Sequence, residues 1–254
     1  MGLIQITNQN LSGINWLNPA TCSFILDNNV HVWRISVGQN LSLLDDFQAI
    51  MTPAEIARAN RFYQSKDHNR FIISRGALRN ILAKYLNQKP REIEFELGEN
   101  DKPCIKNNGQ LNLNYNLSHS GDWILLAISS HEVGADIEFV NPNFGYDEVL
   151  NDNFSTDEVS YIKEKESRAR FFNLWTRKEA LTKATAQGLD GDLRLIPCLD
   201  GVHIIKADII ASEKNWLVNS FNINEQYIAS ITISPNISET SFFELDKITH
   251  PNIF

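Results

Sequence analysis

The stretch FSTDEVSYIKEKESRARFFNLWTRKEALTKATAQGL, residues 154–189, decides how the chain reads. Ser155 followed three residues later by Glu158 has the form of a capping box, so a helix is expected from there to about Glu166. A long helix is expected over 168–187, with Gly188 as its stop. The same order occurs earlier in the chain. Thr52-Pro53 opens a short helix containing Glu55 over 53–63, because proline suits a first helical turn. A long helix follows over 67–86, with Asp67 as N-cap and Phe71, Leu78, Leu82 and Tyr85 at helical spacing. Arg70-Phe71 in the first long helix matches Arg170-Phe171 in the second. Strand-like segments flank both: 30–37, 123–129 and 133–139, then 202–208, 216–221 and 227–233. Residues 99–110 read as a turn-rich loop. The expected fold is α+β, a pseudo-dimer of two similar α/β subdomains, 1–130 and 131–254, with the active site between them.

Composition narrows the function. A hydrophobic content of 43% in 254 residues supports a sizeable core. The net charge of -8 argues against a nucleic-acid binder or a general binder of anionic membranes, which would be basic. Cys22, Cys104 and Cys198 are odd in number and widely spaced, so a reduced, cytoplasmic protein is expected rather than a disulfide framework. No apolar run approaches the roughly 18 residues of a bilayer span, and residues 1–20 lack the pattern of a signal peptide.

The chemistry concentrates in two acidic motifs. In a strand at 133–139, Asp136 and Glu138 are two apart and share a face. A solvated edge strand would explain them, but Ile137 and Phe139 on the other face point to firm packing. Two carboxylates held close repel unless a cation neutralises them. In the second long helix Glu179 and Lys183 are four apart and share a face. As an exposed pair they would contribute only about 0.3–0.5 kcal/mol. They extend the stripe of Phe172, Trp175 and Thr176, which favours a cleft. If the two motifs converge, they suit a hard divalent cation and a phosphate ester. Asn116-Leu117-Ser118-His119-Ser120-Gly121 could add donors to phosphate oxygens. Ser118 and His119 are not read as nucleophile and base, since neighbours rarely face each other. Neither GxxxxGK[ST] nor GxGxxG occurs, so phosphate binding falls to side chains. Among the basic positions, Arg75 and Arg79 are expected to be solvated.

DKPCI (101–105), NLSHSG (116–121), GADIE (134–138), FSTDE (154–158) and WTRKEALTKATAQGL (175–189) occur in one order, and together they resemble the 4′-phosphopantetheinyl transferases of the Sfp type over residues 50–190. One departure is Asp101, where the family usually has glycine before the Lys-Pro pair. The resemblance implies the pseudo-dimeric fold of that family, coenzyme A as substrate, Mg2+ as cofactor and an apo acyl or peptidyl carrier protein as acceptor. It implies Asp136, Glu138 and Glu179 as Mg2+ ligands and Lys183 on the coenzyme A phosphates; the acceptor serine needs a base, for which Glu179, directly or through a metal-bound water, is the candidate. Ser118 and His119, supported by Asn116, would hold phosphate oxygens; Lys102 and Arg58 would hold the nucleotide end. A monomer is expected, since one chain supplies both halves. An inactive binding module and a Mg2+-dependent phosphohydrolase are the alternative readings.

Overall fold

The computed structural model describes residues 2–106, 112–165, 167–188 and 191–245. In chain order the elements are β1 (Leu3–Asn10), β2 (Trp16–Leu17), β3 (Asn29–Ser36), α1 (Leu44–Ala49), α2 (Pro53–Ala59), α3 (Ser65–Leu86), β4 (Phe95–Leu97), β5 (Pro103–Ile105), β6 (Asn114–Ser120), β7 (Trp123–Ser129) and β8 (Gly134–Phe139). Then come α4 (Asp147–Asn153), α5 (Thr156–Glu164), α6 (Ser167–Thr185), β9 (Gly201–Lys206), β10 (Trp216–Asn224), β11 (Tyr227–Ile233) and β12 (Glu239–Leu245).

The strands form two five-stranded sheets, ordered β2-β12-β3-β7-β6 and β8-β11-β10-β1-β9. They lie face to face, with α3 outside the first and α6 outside the second. Strand alternation produces these layers. Val30, Val32, Leu125 and Ala127 meet Ala135, Ile137, Ala229 and Ile231 between the sheets. The alternate residues Trp33, Ile35, Ile124 and Leu126 meet Ile73, Ala77, Leu78 and Ile81 of α3. Burial on both faces explains why β7 reads as one continuous apolar run. The fold is thus α+β and a pseudo-dimer, as the internal repeat implied. The chain passes from one sheet to the other between β7 and β8, and the terminal strands are exchanged. β1 pairs with β10 and β9 in the second sheet, while β12 pairs with β3 in the first.

The repeat extends to buried ions. Thr52 and Glu55 form a capping box on α2, and Ser155 and Glu158 form one on α5. The Arg79 guanidinium lies 2.9 Å from Glu55 Oε2 and donates to the carbonyls of Pro90 and Ile93. The Lys178 ammonium lies 3.0 Å from Glu158 Oε2 and donates to the carbonyls of Leu193 and Ile196. Each long helix is therefore tied by one buried cation to the preceding short helix and to the turn that follows. Arg75 and Arg79 were expected to be solvated on their helix, but both are engaged by Glu55, and Arg79 is only 1% exposed.

Three local expectations also change. The α3 helix starts at Ser65 with Gln64 as N-cap; Asp67 lies in its first turn, where Arg70 binds it at 2.7 Å. The stretch 99–110 is not all loop, because β5 pairs with β4; residues 107–110 lie outside the described residues, as does Glu166. Residues 239–245, for which no element was expected, form β12, which lies between β2 and β3 in the first sheet.

Candidate active site

The site forms where α6 crosses β8. Gly134 permits that crossing: a Cβ built on it would stand 1.9 Å from the Ala180 carbonyl oxygen and 2.5 Å from the Ala184 nitrogen. With the helix this close, the residues two and four beyond Gly134 on β8 face those on α6. Asp136 Oδ1 accepts from Lys183 Nζ at 2.6 Å and from Ser118 Oγ at 2.9 Å. Its Oδ2 is buried and has no hydrogen-bond partner. Lys183 also lies 3.7 Å from Glu179 Oε2. Glu138 Oε2 accepts from Ser120 Oγ at 2.9 Å.

The β6 strand supplies the other wall. Three of its side chains, two residues apart, reach the free edge of β8. Asn116 Oδ1 accepts the Ala135 N–H at 2.8 Å, Ser118 donates to Asp136, and Ser120 donates to Glu138 and accepts the Phe139 N–H. They satisfy edge groups that would otherwise be left without partners. Ser120 and Gly134 were not singled out from the sequence. The alternation of Asn116, Ser118 and Ser120 on a strand was the available signal for Ser120.

Burial and charge set the proton affinities. Burial raises the Asp136 carboxyl above the ordinary carboxylate range, against the lowering effect of Lys183 and Ser118. Burial, then the Asp136 charge, pushes Glu138 up to about 7. Burial also raises Glu179. Lys183 is raised as well: burial opposes its charge, but Asp136 and Glu179 outweigh it. Three carboxyls that resist ionisation around one ammonium form a site with more acid than its single cation compensates.

The remaining expected residues divide. His119 is exposed beyond Ser118; desolvation, then Arg70, lowers its proton affinity. Lys102 Nζ donates to the carbonyls of Val133 and Ala184 at 3.2 and 3.1 Å, fastening the β5 end to both β8 and α6. Burial brings it down to about 8. It lines a cleft of about 400 Å3 with Pro103, Ala184, Lys214 and Trp216. Arg58 is exposed on α2, its guanidinium 5.4 Å from the Phe71 ring centre, in a separate concavity of about 530 Å3 with Arg61 and Phe62. Asp136, Glu179, Lys183, Ser118 and Asn116 therefore stand together, and Glu138 joins them along β8. Lys102 lies behind them, and Arg58 stands apart. Among the described residues, no three acidic, His or Cys side chains close on one point as an assembled metal centre; the Lys183 ammonium stands between the carboxylates.

Glu138 yields a stability prediction. Its carboxyl binds a proton more tightly folded, near 7, than at its ordinary 4.5. Its favourable contribution is therefore complete below the lower value and disappears as pH rises through the higher one. In metal-free buffer, Glu138→Gln should raise the melting temperature by about 2–4 °C at pH 8.5 and leave it unchanged at pH 4. Thermal melts of both proteins at the two pH values test this; an equal difference at both would remove the buried charge as the cause.

No helix among the described residues is long and apolar enough to cross a membrane. Residues 40–131 match the family described as 4′-phosphopantetheinyl transferase, N-terminal, and residues 132–232 match the 4′-phosphopantetheinyl transferase superfamily. The chain is 34% identical over 179 residues to the 4′-phosphopantetheinyl transferase HetI of Nostoc sp., covering 68% of this chain and 76% of HetI. It is 30% identical over 146 residues to the 4′-phosphopantetheinyl transferase Sfp of Bacillus subtilis, covering 56% of this chain and 63% of Sfp, so less than two thirds of that relative is spanned.

Proposed function

The chain belongs to the 4′-phosphopantetheinyl transferase superfamily, and on that premise we propose that it transfers the 4′-phosphopantetheine group of coenzyme A to a serine of an apo acyl or peptidyl carrier protein, with Mg2+ required and adenosine 3′,5′-bisphosphate released. The observation that carries this reading is the meeting of Asp136 and Glu138 on β8 with Glu179 and Lys183 on α6, beside Ser118. The donor set suits Mg2+: it is made of hard oxygens, burial disfavours the uncompensated charge of its carboxyls, and the buried Asp136 Oδ2 lacks a partner.

Asp136, Glu138 and Glu179 would hold the ion. An ion held there would supply positive charge to offset that of the pyrophosphate oxygens. The chain's residues supply the rest. Glu179, directly or through a water held at the site, takes the proton of the carrier serine. The serine oxygen forms a bond to the β-phosphorus, and the bond from that phosphorus to the bridging oxygen breaks. Lys183 meets the charge that collects on the leaving bisphosphate. Ser118 and His119 hold phosphate oxygens, and Asn116 supports them by fixing β6 to β8. Arg58 and Lys102 are assigned the nucleotide end. A monomer acting in the cytoplasm, divided at 1–130 and 131–254 apart from the exchanged end strands, completes the proposal.

The test is intact-protein mass spectrometry of an apo carrier protein incubated with this protein, coenzyme A and Mg2+. A gain of one phosphopantetheine, lost with EDTA, is expected. No gain on several carrier proteins despite coenzyme A binding would favour a binding module. Phosphate release without any acceptor would favour a phosphohydrolase.

A further inference from the structure

Each of the two β8 carboxylates has its own hydroxyl on β6: Ser118 for Asp136 and Ser120 for Glu138. Ser120 is the more constrained. Its Oγ accepts the Phe139 N–H at 3.0 Å while lying 2.9 Å from Glu138 Oε2. Because the backbone N–H must be the donor in the first contact, the hydroxyl proton is left for the carboxylate. The place of Ser120 is fixed as well. It ends β6 at a turn where Gly121 has φ +53°. The next residue is pinned from three sides: the Asp122 N–H donates to Tyr227 Oη at 3.1 Å, and its carboxylate accepts from Ser36 Oγ at 2.9 Å and Gly38 N–H at 2.7 Å. The turn is thus tied to both halves of the fold. The carboxylate it addresses sits on a long, partly exposed side chain that would otherwise sample several rotamers.

We propose that Ser120 is a positioning residue for Glu138: its hydroxyl, set by the Phe139 N–H, orients that carboxylate as a ligand of the cation site between β8 and α6. The inference rests on the metal role proposed for Glu138. It assigns Ser120 no contact with substrate. Partners of this kind, hydrogen-bonded to a metal-ligating side chain, typically change metal affinity 10- to 100-fold when removed.

The experiment is direct Mn2+ binding to EDTA-stripped protein, read by the paramagnetic resonance of the free ion, with thermal melts confirming the fold. Ser120→Ala should weaken Mn2+ binding about tenfold or more, and Ser120→Thr should restore it to within about threefold. In a Glu138→Gln background, Ser120→Ala should add no further loss, because the two act as one unit. Wild-type affinity in folded Ser120→Ala would overturn the proposal, as would a full additional loss in the Glu138→Gln background. If Ser120→Ala does not fold, Ser120→Cys, of similar volume and a weaker donor, is held to the same two criteria. Wild-type protein that binds no Mn2+ would overturn the metal role itself, and the Ser120 assignment with it; the two failures are therefore distinguishable.

Discussion

Asp136→Asn is expected to lower the transfer rate about a thousandfold and to leave the melting temperature within a few degrees of wild type. The substitution separates two tasks of one side chain. The amide oxygen of asparagine can still accept from Ser118 and Lys183, the partners of Oδ1. It removes the negative charge and replaces Oδ2, the buried oxygen without a partner, by a donor that cannot bind a cation. Fold stability should suffer little, because burial already disfavours the ionised Asp136, and a buried charge that resists ionisation is a weak source of stability. Lys183 keeps Glu179 as a partner. Steady-state transfer assays with a Mg2+ titration decide the matter. Full activity with an unaltered Mg2+ requirement would remove Asp136 from the ligand set. A large loss accompanied by unfolding would show that the ion pair is structural first.

The site was legible where its logic is local. The capping box of Ser155 and Glu158 is written within four residues, and the structure contains it. The pairing of Asp136 with Glu138 follows from strand alternation, and that of Glu179 with Lys183 from helical spacing. The burial of Arg79 and Lys178 was not legible, because each depends on carbonyls 11 to 18 residues later. A helix surface alone gives no sign that such a turn will fold back over it. The exchange of β1 and β12 is less local still. Leu3–Asn10 alternates well enough to be a strand, with Ile4 and Ile6 buried. Its partners, however, lie some two hundred residues away, and no pattern inside the strand selects them. Lys102 shows a third limit. The resemblance implied a nucleotide contact for it, but nothing in the local sequence showed that its ammonium would also donate to two main-chain carbonyls that only the packed β8 and α6 bring together.

Gly134→Ala carries the second large effect, and its meaning depends on a matched control. The added Cβ would overlap the backbone of α6 at Ala180 and Ala184, and backbone cannot swing aside as a side-chain tip can. The helix must move off the strand, and overpacking of this kind costs about 1–3 kcal/mol. Lys183 and Glu179 move with it, away from Asp136, and a displacement near 1 Å can cost about a hundredfold in rate. Gly76→Ala is the control. Its Cβ would stand 2.3 Å from Phe47, on the face of α3 in the other half, so it should lose comparable stability without moving the acidic residues. Both variants should therefore melt earlier, while transfer per folded molecule falls about a hundredfold in Gly134→Ala and stays near wild type in Gly76→Ala. Denaturant melts supply the folded fraction, and single-turnover assays at saturating coenzyme A supply the rate. Equal rates per folded molecule in the two variants would mean that the close approach of α6 to β8 serves packing alone, and that Lys183 can reach its place from a displaced helix.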